Sequence, residues 1–150
     1  MDEMESAKCE LPDTTLPFPE IAKILETYER IAVVGCSPKA VRDSHKVARY
    51  LMENGYEVIP VNPGQKQILG RTCYKSLKEI PDPVEVVDIF LNPKRVPAVV
   101  DEAIEIGAKV VWMQFGIVDN ASAQKAREHG IQVVMDHCMA EDHRKISSQK

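Results

Sequence analysis

The run with the most chemistry in it is Gly35-Cys36-Ser37-Pro38-Lys39-Ala40, with Arg42 two residues on. It leaves a short apolar stretch (RIAVVGC, from Arg30) and opens towards a helical pattern. The spacing aligns loosely with the G-x-G-x-x-G/A phosphate fingerprint, with Ser37 in place of the middle glycine and Ala40 in place of the last. A glycine permits the tight turn at a strand end. A serine hydroxyl and the free amides of a following helical turn can hold phosphate oxygens. Lys39 and Arg42 add cations beside the same turn, and an arginine can grip a phosphate with two parallel hydrogen bonds. The chemistry expected here is anion binding.

A dinucleotide site would also place Asp or Glu after the second strand, about 20 residues on, to accept the ribose hydroxyls. Val61 leads instead into Asn62-Pro63. A neutral amide accepts fewer such donors than a carboxylate, which weakens an NAD reading. Groups for catalysis are sparse. His45, His129 and His143 read as surface side chains without an evident partner. His137-Cys138, with Glu141 and His143 close in sequence, offers one thiol and two imidazoles but no zinc spacing. Cys36 lies where helix-terminal amides could lower a thiol pKa, although a small apolar packing role accounts for it as well. Cys9, Cys36, Cys73 and Cys138 form no CxxC pair and read as free thiols.

These residues need elements to hold them. Ile21, Ile24, Leu25 and Tyr28 recur at helical spacing behind Pro17 and Pro19. Apolar strands are expected at Arg30–Cys36, Tyr56–Val61, Val84–Leu91, Lys109–Gln114 and Ile131–Met135. Pro60 marks the second as ending early or lying near an edge. Helical stripes fall between them, closed by Gly55, Gly107 and Gly130, and a short helix follows Asp136. The stretch Asn62–Pro83 has little periodicity beyond a turn of helix near Ser76–Glu79. Strands alternating with helices predict an α/β fold: a Rossmann-like, doubly wound, parallel five-stranded sheet with helices on both faces. A flavodoxin-like strand order fits the same periodicity. Ligands in such sheets bind at the carboxyl ends of the strands. That selects Gly35–Arg42, Asn62–Gly64, Phe90–Pro93, Met113–Gly116 and Asp136–Cys138.

The 150 residues suit one domain, read as 17–150 behind a polar amino-terminal tail, 1–16. With 44% hydrophobic and 28% charged residues of mixed sign, the chain is not of disordered composition. Nineteen basic and twenty-three acidic residues give a net charge of −4, so no bulk charge draws in nucleic acid or an anionic membrane. No run approaches the roughly 20 apolar residues of a membrane span, and no secretory or lipidation signal is evident; a cytoplasmic location is expected.

GCSPKAVRDS, then YEVIPVNPGQKQILGRTCYKSLKEIPDPVEVVDIF, then VPAVVDEAIEIGAKVVWMQFGI and VVMDHCMAED, together resemble the single-domain CoA-binding proteins. These are related to the CoA-binding domain of the succinyl-CoA synthetase α-subunit, and the resemblance spans roughly residues 18–146. It implies a coenzyme A or acyl-CoA site at the strand ends. Gly35, Cys36, Ser37, Pro38 and Arg42 would stand at the pyrophosphate, and Lys39, from its charge, near the ribose phosphate. Asn62 and Pro63 would lie towards the adenosine, with Phe90, Leu91, Pro93, Met113, Gln114 and Gly116 along the ligand's path. This chain has Cys36 where many members have a small apolar residue, and His137 where many have Arg. A ligase needs a phosphohistidine-bearing domain for which 150 residues leave no room. The expectation is therefore a non-catalytic carrier, sensor or subunit. The alternatives are an NAD(P)-binding oxidoreductase, a CoA-linked thiol enzyme on Cys36 or Cys138, and an interaction subunit completing an acyl-CoA ligase in trans. A protein partner or a homo-oligomer is compatible with each.

Overall fold

The computed structural model describes residues 10–149. A helix α1 (Phe18–Thr27) precedes a parallel five-stranded sheet made of β1 (Arg30–Val34), β2 (Glu57–Val61), β5 (Val86–Ile89), β6 (Val110–Met113) and β7 (Gln132–Val134). The connections carry α2 (Asp43–Glu53), α3 (Val96–Glu105) and α4 (Asn120–Glu128), and α5 (Met139–Ser148) follows the last strand. The spatial order is β2-β1-β5-β6-β7. Counted along this sheet it is 2-1-3-4-5, the second of the two orders that the periodicity allowed. Pro60 lies in β2, an edge strand, where its missing N–H leaves no sheet donor unmade.

The central strands are apolar on both faces because both faces are covered. Ile31, Val33, Val86, Val110 and Trp112 pack against α1, α2 and α5. Ala32, Val34, Val87, Ile89, Val111 and Met113 pack against α3 and α4. One residue breaks the pattern. Asp88, in β5 between Val33 and Trp112 of the flanking strands, is fully buried, and neither of its carboxylate oxygens has a hydrogen-bond partner. Burial holds its pKa well above the ordinary carboxylate range.

Two features depart from the expected pattern. A hairpin, β3 (Gln67–Ile68) with β4 (Arg71–Thr72), occupies the stretch expected to be irregular. Its two turn residues, Leu69 and Gly70, have φ of 55° and 74°. Such turns favour Asn-Gly, and a leucine there gives no sequence signal. Residues 10–16 form neither helix nor strand but are tied to the start of α4. The Glu10 carboxylate accepts from Asn120 N, and the Asn120 side chain bonds Leu11 O and Asp13 N. The rest of the proposed tail, 1–9, lies outside the described residues. Among these, no helix is long and apolar enough to cross a membrane.

Candidate functional site

The winding of the sheet reverses between β1 and β5, which opens a crevice at their carboxyl ends. Gly35 forms its floor. Its φ of +85° suits glycine, and its N–H donates to Val61 O at 2.9 Å while Phe90 N donates to Val34 O at 2.9 Å. The loop from Ser37 to Arg42 is pinned by its own side chains. Ser37 N donates to Ser44 Oγ at 2.9 Å, Lys39 N to Ser37 Oγ at 3.1 Å, and Arg42 N to Lys39 O at 3.1 Å. His45 Nδ1 lies 2.9 Å from Ser37 O, and since a carbonyl only accepts, that nitrogen carries the proton. His45 is thus a buried loop support, 8% exposed, rather than the surface side chain its sequence context suggested.

Asn62 supports the loop from the other side. Its Nδ2 donates to Cys36 O at 2.9 Å and its Oδ1 accepts from Gly64 N at 2.8 Å. The amide that stands where a dinucleotide site would carry a carboxylate is therefore committed to the backbone. Gln114, buried at the end of β6, accepts from Met139 N at 3.2 Å and ties that strand to the start of α5.

Two clefts of about 790 and 680 Å³ flank the loop. Gly35, Ser37, Arg42, Phe90 and Leu91 line both, so they are two arms of one groove. The larger arm runs over β6 and β7 towards α5, past Val41, Lys46, Gln114, Phe115, Cys138 and Arg144. The smaller arm runs over β2 and the start of α3, past Asn62, Pro63, Lys75, Lys94, Arg95 and Glu102. Charge is uneven between them. The smaller arm has four basic side chains, counting Arg42, and one acidic. The larger has Arg42, Lys46 and Arg144 against Asp43 and Glu141. Where α2 begins, at Asp43, the first helical amides have no intrahelical acceptor, and Asp43 and Ser44 line the larger arm.

The candidates from the sequence divide accordingly. Gly35, Ser37, Arg42, Asn62, Pro63, Phe90, Leu91 and Gln114 line the groove. Cys36, Pro38, Lys39, Pro93, Met113 and Gly116 line neither arm. Cys36 and Met113 are completely buried: alternation along β6 turns Met113 into the core under α3 and α4, and the turn at Gly35 carries Cys36, beyond the end of β1, into the core under α1, α2 and α5. Lys39 lies in the loop's outward turn, so its charge is not a wall of either arm. Sequence reading missed Lys75, Lys94, Arg95 and Arg144, which meet only through the strand order, and Phe115, though inside the selected Met113–Gly116 segment, was not singled out.

Neither an enzymatic thiol at Cys36 nor a metal cluster finds support in the geometry. Burial, with Cys73 and Asp88 nearby, pushes the Cys36 thiol up to about 12, and burial also raises Cys73. A pKa near 12 leaves roughly one thiolate in ten thousand at pH 8. Of the three described cysteines, only Cys138 is partly exposed. Iodoacetamide at pH 8 should therefore modify Cys138 in the folded protein and spare Cys36 and Cys73, as read by peptide mapping; rapid labelling of Cys36 would contradict its placement. His137 Nδ1 lies 2.8 Å from Asp142 Oδ2, joining the end of β7 to α5. Among the described residues no three His, Cys, Asp or Glu side chains are grouped to hold a metal ion.

The chain is 41% identical over 124 residues to the uncharacterized protein YneT of Bacillus subtilis, covering 83% of this chain and 92% of the relative. It is 40% identical over 87 residues to the alpha subunit of the ADP-forming acetate–CoA ligase I of Pyrococcus furiosus; this covers 54% of the chain but 19% of that subunit. A solved hypothetical protein from Pyrococcus horikoshii superposes with a TM-score of 0.87 at 42% identity, covering 98% of this chain and 99% of that one. A sequence model of the CoA binding domain matches residues 29–144, from the start of β1 into α5 and across the whole groove. The chain belongs to the CoA-binding domain family.

Proposed function

We propose that the protein binds coenzyme A or an acyl-CoA along the two-armed groove and acts as a carrier, sensor or subunit without a catalytic centre of its own. The observation that carries this reading is the groove itself: one loop with Arg42 at the centre, a strongly basic arm on one side and a larger arm of mixed charge on the other. The pyrophosphate would sit at Ser37, Arg42 and the free amides of α2. The adenosine and its 3′-phosphate would occupy the basic arm, where Lys75, Lys94 and Arg95 replace Lys39 as the phosphate partners. The pantetheine would run along the larger arm towards Cys138.

Scanning fluorimetry with CoA, acetyl-CoA, NAD and NADP tests this directly. A ligand at 100 times its Kd adds about 2.7 kcal/mol of stability. Stabilisation by CoA is expected, and stabilisation by NAD without CoA would overturn the reading. Arg42→Ala should weaken CoA by about 1.5–3 kcal/mol, the range for hydrogen bonds to charged groups, which is roughly 10- to 150-fold in Kd. An unchanged Kd would remove Arg42 from the site. The match to a ligase alpha subunit favours a second reading, a subunit that completes an acyl-CoA ligase in trans. Pull-down with and without CoA distinguishes it from a solitary carrier.

A further inference from the structure

We infer that the larger arm holds the apolar acyl chain of an acyl-CoA, so that the protein prefers an acyl thioester to free coenzyme A; this rests on the coenzyme reading above. Among the described residues three large apolar side chains are exposed: Leu11 at 75%, Val41 at 76% and Phe115 at 76%. Two of the three stand at this one arm, Val41 in the loop after β1 and Phe115 in the loop after β6. Val47, Ile117 and Ala140 continue the apolar lining further in. Water-exposed apolar groups gathered beside a ligand groove are better explained by an apolar occupant than by chance.

The Phe115 loop is held in place by specific bonds. Gly116 N donates to Asp136 Oδ1 at 2.7 Å and Ile117 N to Gln114 O at 2.8 Å. Asp136 adopts a φ of 63°, an unusual conformation outside glycine, at the end of β7.

Reach supports the same assignment. Strand spacing of about 4.8 Å places the end of β6 about 10 Å from the Gly35 loop and the end of β7 about 14 Å away. The pantetheine arm, with two amides and short alkyl links, has about the length of four extended residues, some 13–14 Å. Its thiol would arrive between Phe115 and Cys138, and an acyl chain would begin where the apolar walls are. Arg144, held 4.5 Å over the Tyr50 ring, and Glu141 form a polar rim to the same arm.

The test is titration calorimetry of the full chain with CoA, acetyl-, butyryl-, hexanoyl- and succinyl-CoA. Affinity should rise two- to fourfold per added methylene from acetyl to hexanoyl, the upper figure corresponding to full burial of each group. Phe115→Ala should flatten the series, and Leu11→Ala, away from the groove, should leave it unchanged. CoA binding with no chain-length gain overturns this inference and leaves the proposed function standing. Tighter binding of succinyl- than butyryl-CoA would assign the arm to Arg144 and a carboxylate, and would also overturn it. A series that survives Phe115→Ala overturns the placing of the acyl chain against Phe115 in this arm, and with it the inference. Failure of every CoA species to bind overturns the proposed function, and the inference with it.

Discussion

Gly35→Ala should lower the melting temperature steeply and weaken the ligand together with the fold. Two costs add at this position. With φ at +85°, a side chain incurs about 1–2 kcal/mol of backbone strain. The new Cβ would also lie 2.5 Å from Phe90 O and 2.8 Å from Leu91 Cδ2, at the point where β1 and β5 approach each other. Overpacking of that kind costs about 1–3 kcal/mol. The sum, about 2–5 kcal/mol, corresponds to a loss of roughly 5–20 °C for a chain of this size. Gly55→Ala is the control. It has a φ of +92° but no atom within 4 Å of the added Cβ, so only the strain applies, and it lies outside the groove. If the two variants melt together, the close approach at Phe90 is not there.

The second large effect is expected to be a gain. Asp88→Val should stabilise the protein, and the gain should grow with pH. Valine nearly matches aspartate in volume and suits a strand, and the carboxylate it replaces has no hydrogen-bond partner in the fold. Leaving a polar group buried and unpaired costs about 1–3 kcal/mol. Because burial raises the folded-state pKa, the folded protein keeps a proton that the unfolded chain releases above its ordinary pKa of 3.8. The carboxyl's contribution is therefore most favourable below that value and is lost as pH rises towards the folded pKa. Between the two pKa values the wild type loses about 1.4 kcal/mol per pH unit relative to the variant. Chemical denaturation of both proteins at pH 5 and pH 7 measures this. An equal difference at the two pH values would mean that Asp88 is charged and solvated in the folded state.

Asp88 also shows where reading a sequence stops. Within VEVVDIF the second of two acids is compatible with a strand end or a solvated face. Only its position in the middle of the sheet, between Val33 and Trp112, reveals that nothing solvates it. His45 is similar: three residues into an amphipathic helix it reads as exposed, and it is buried because the Ser37 carbonyl lies above it. The hairpin at Ile68–Arg71 escaped because Leu69 adopts a conformation that its side chain does not advertise.

Local physics made much of this protein legible in one dimension. Runs of β-branched residues broken by helical stripes and glycine stops require parallel strands with crossovers, since parallel neighbours cannot be joined by a tight turn. A glycine, a serine and nearby cations at a strand end mark an anion site because backbone amides and short side chains act over a few residues. The strand order was beyond that reach. Apart from Asp88, β1, β5 and β6 are apolar on both faces, and side-chain pattern alone does not say which lies beside which. Tertiary packing made that choice, and with it decided which loops share a groove. It set Lys75, Lys94 and Arg95 on one side of Arg42 and Phe115 and Arg144 on the other. It also turned Cys36 inward and left Lys39 outside. Binding surfaces join residues from distant parts of the chain, and only the folded sheet brings those parts together.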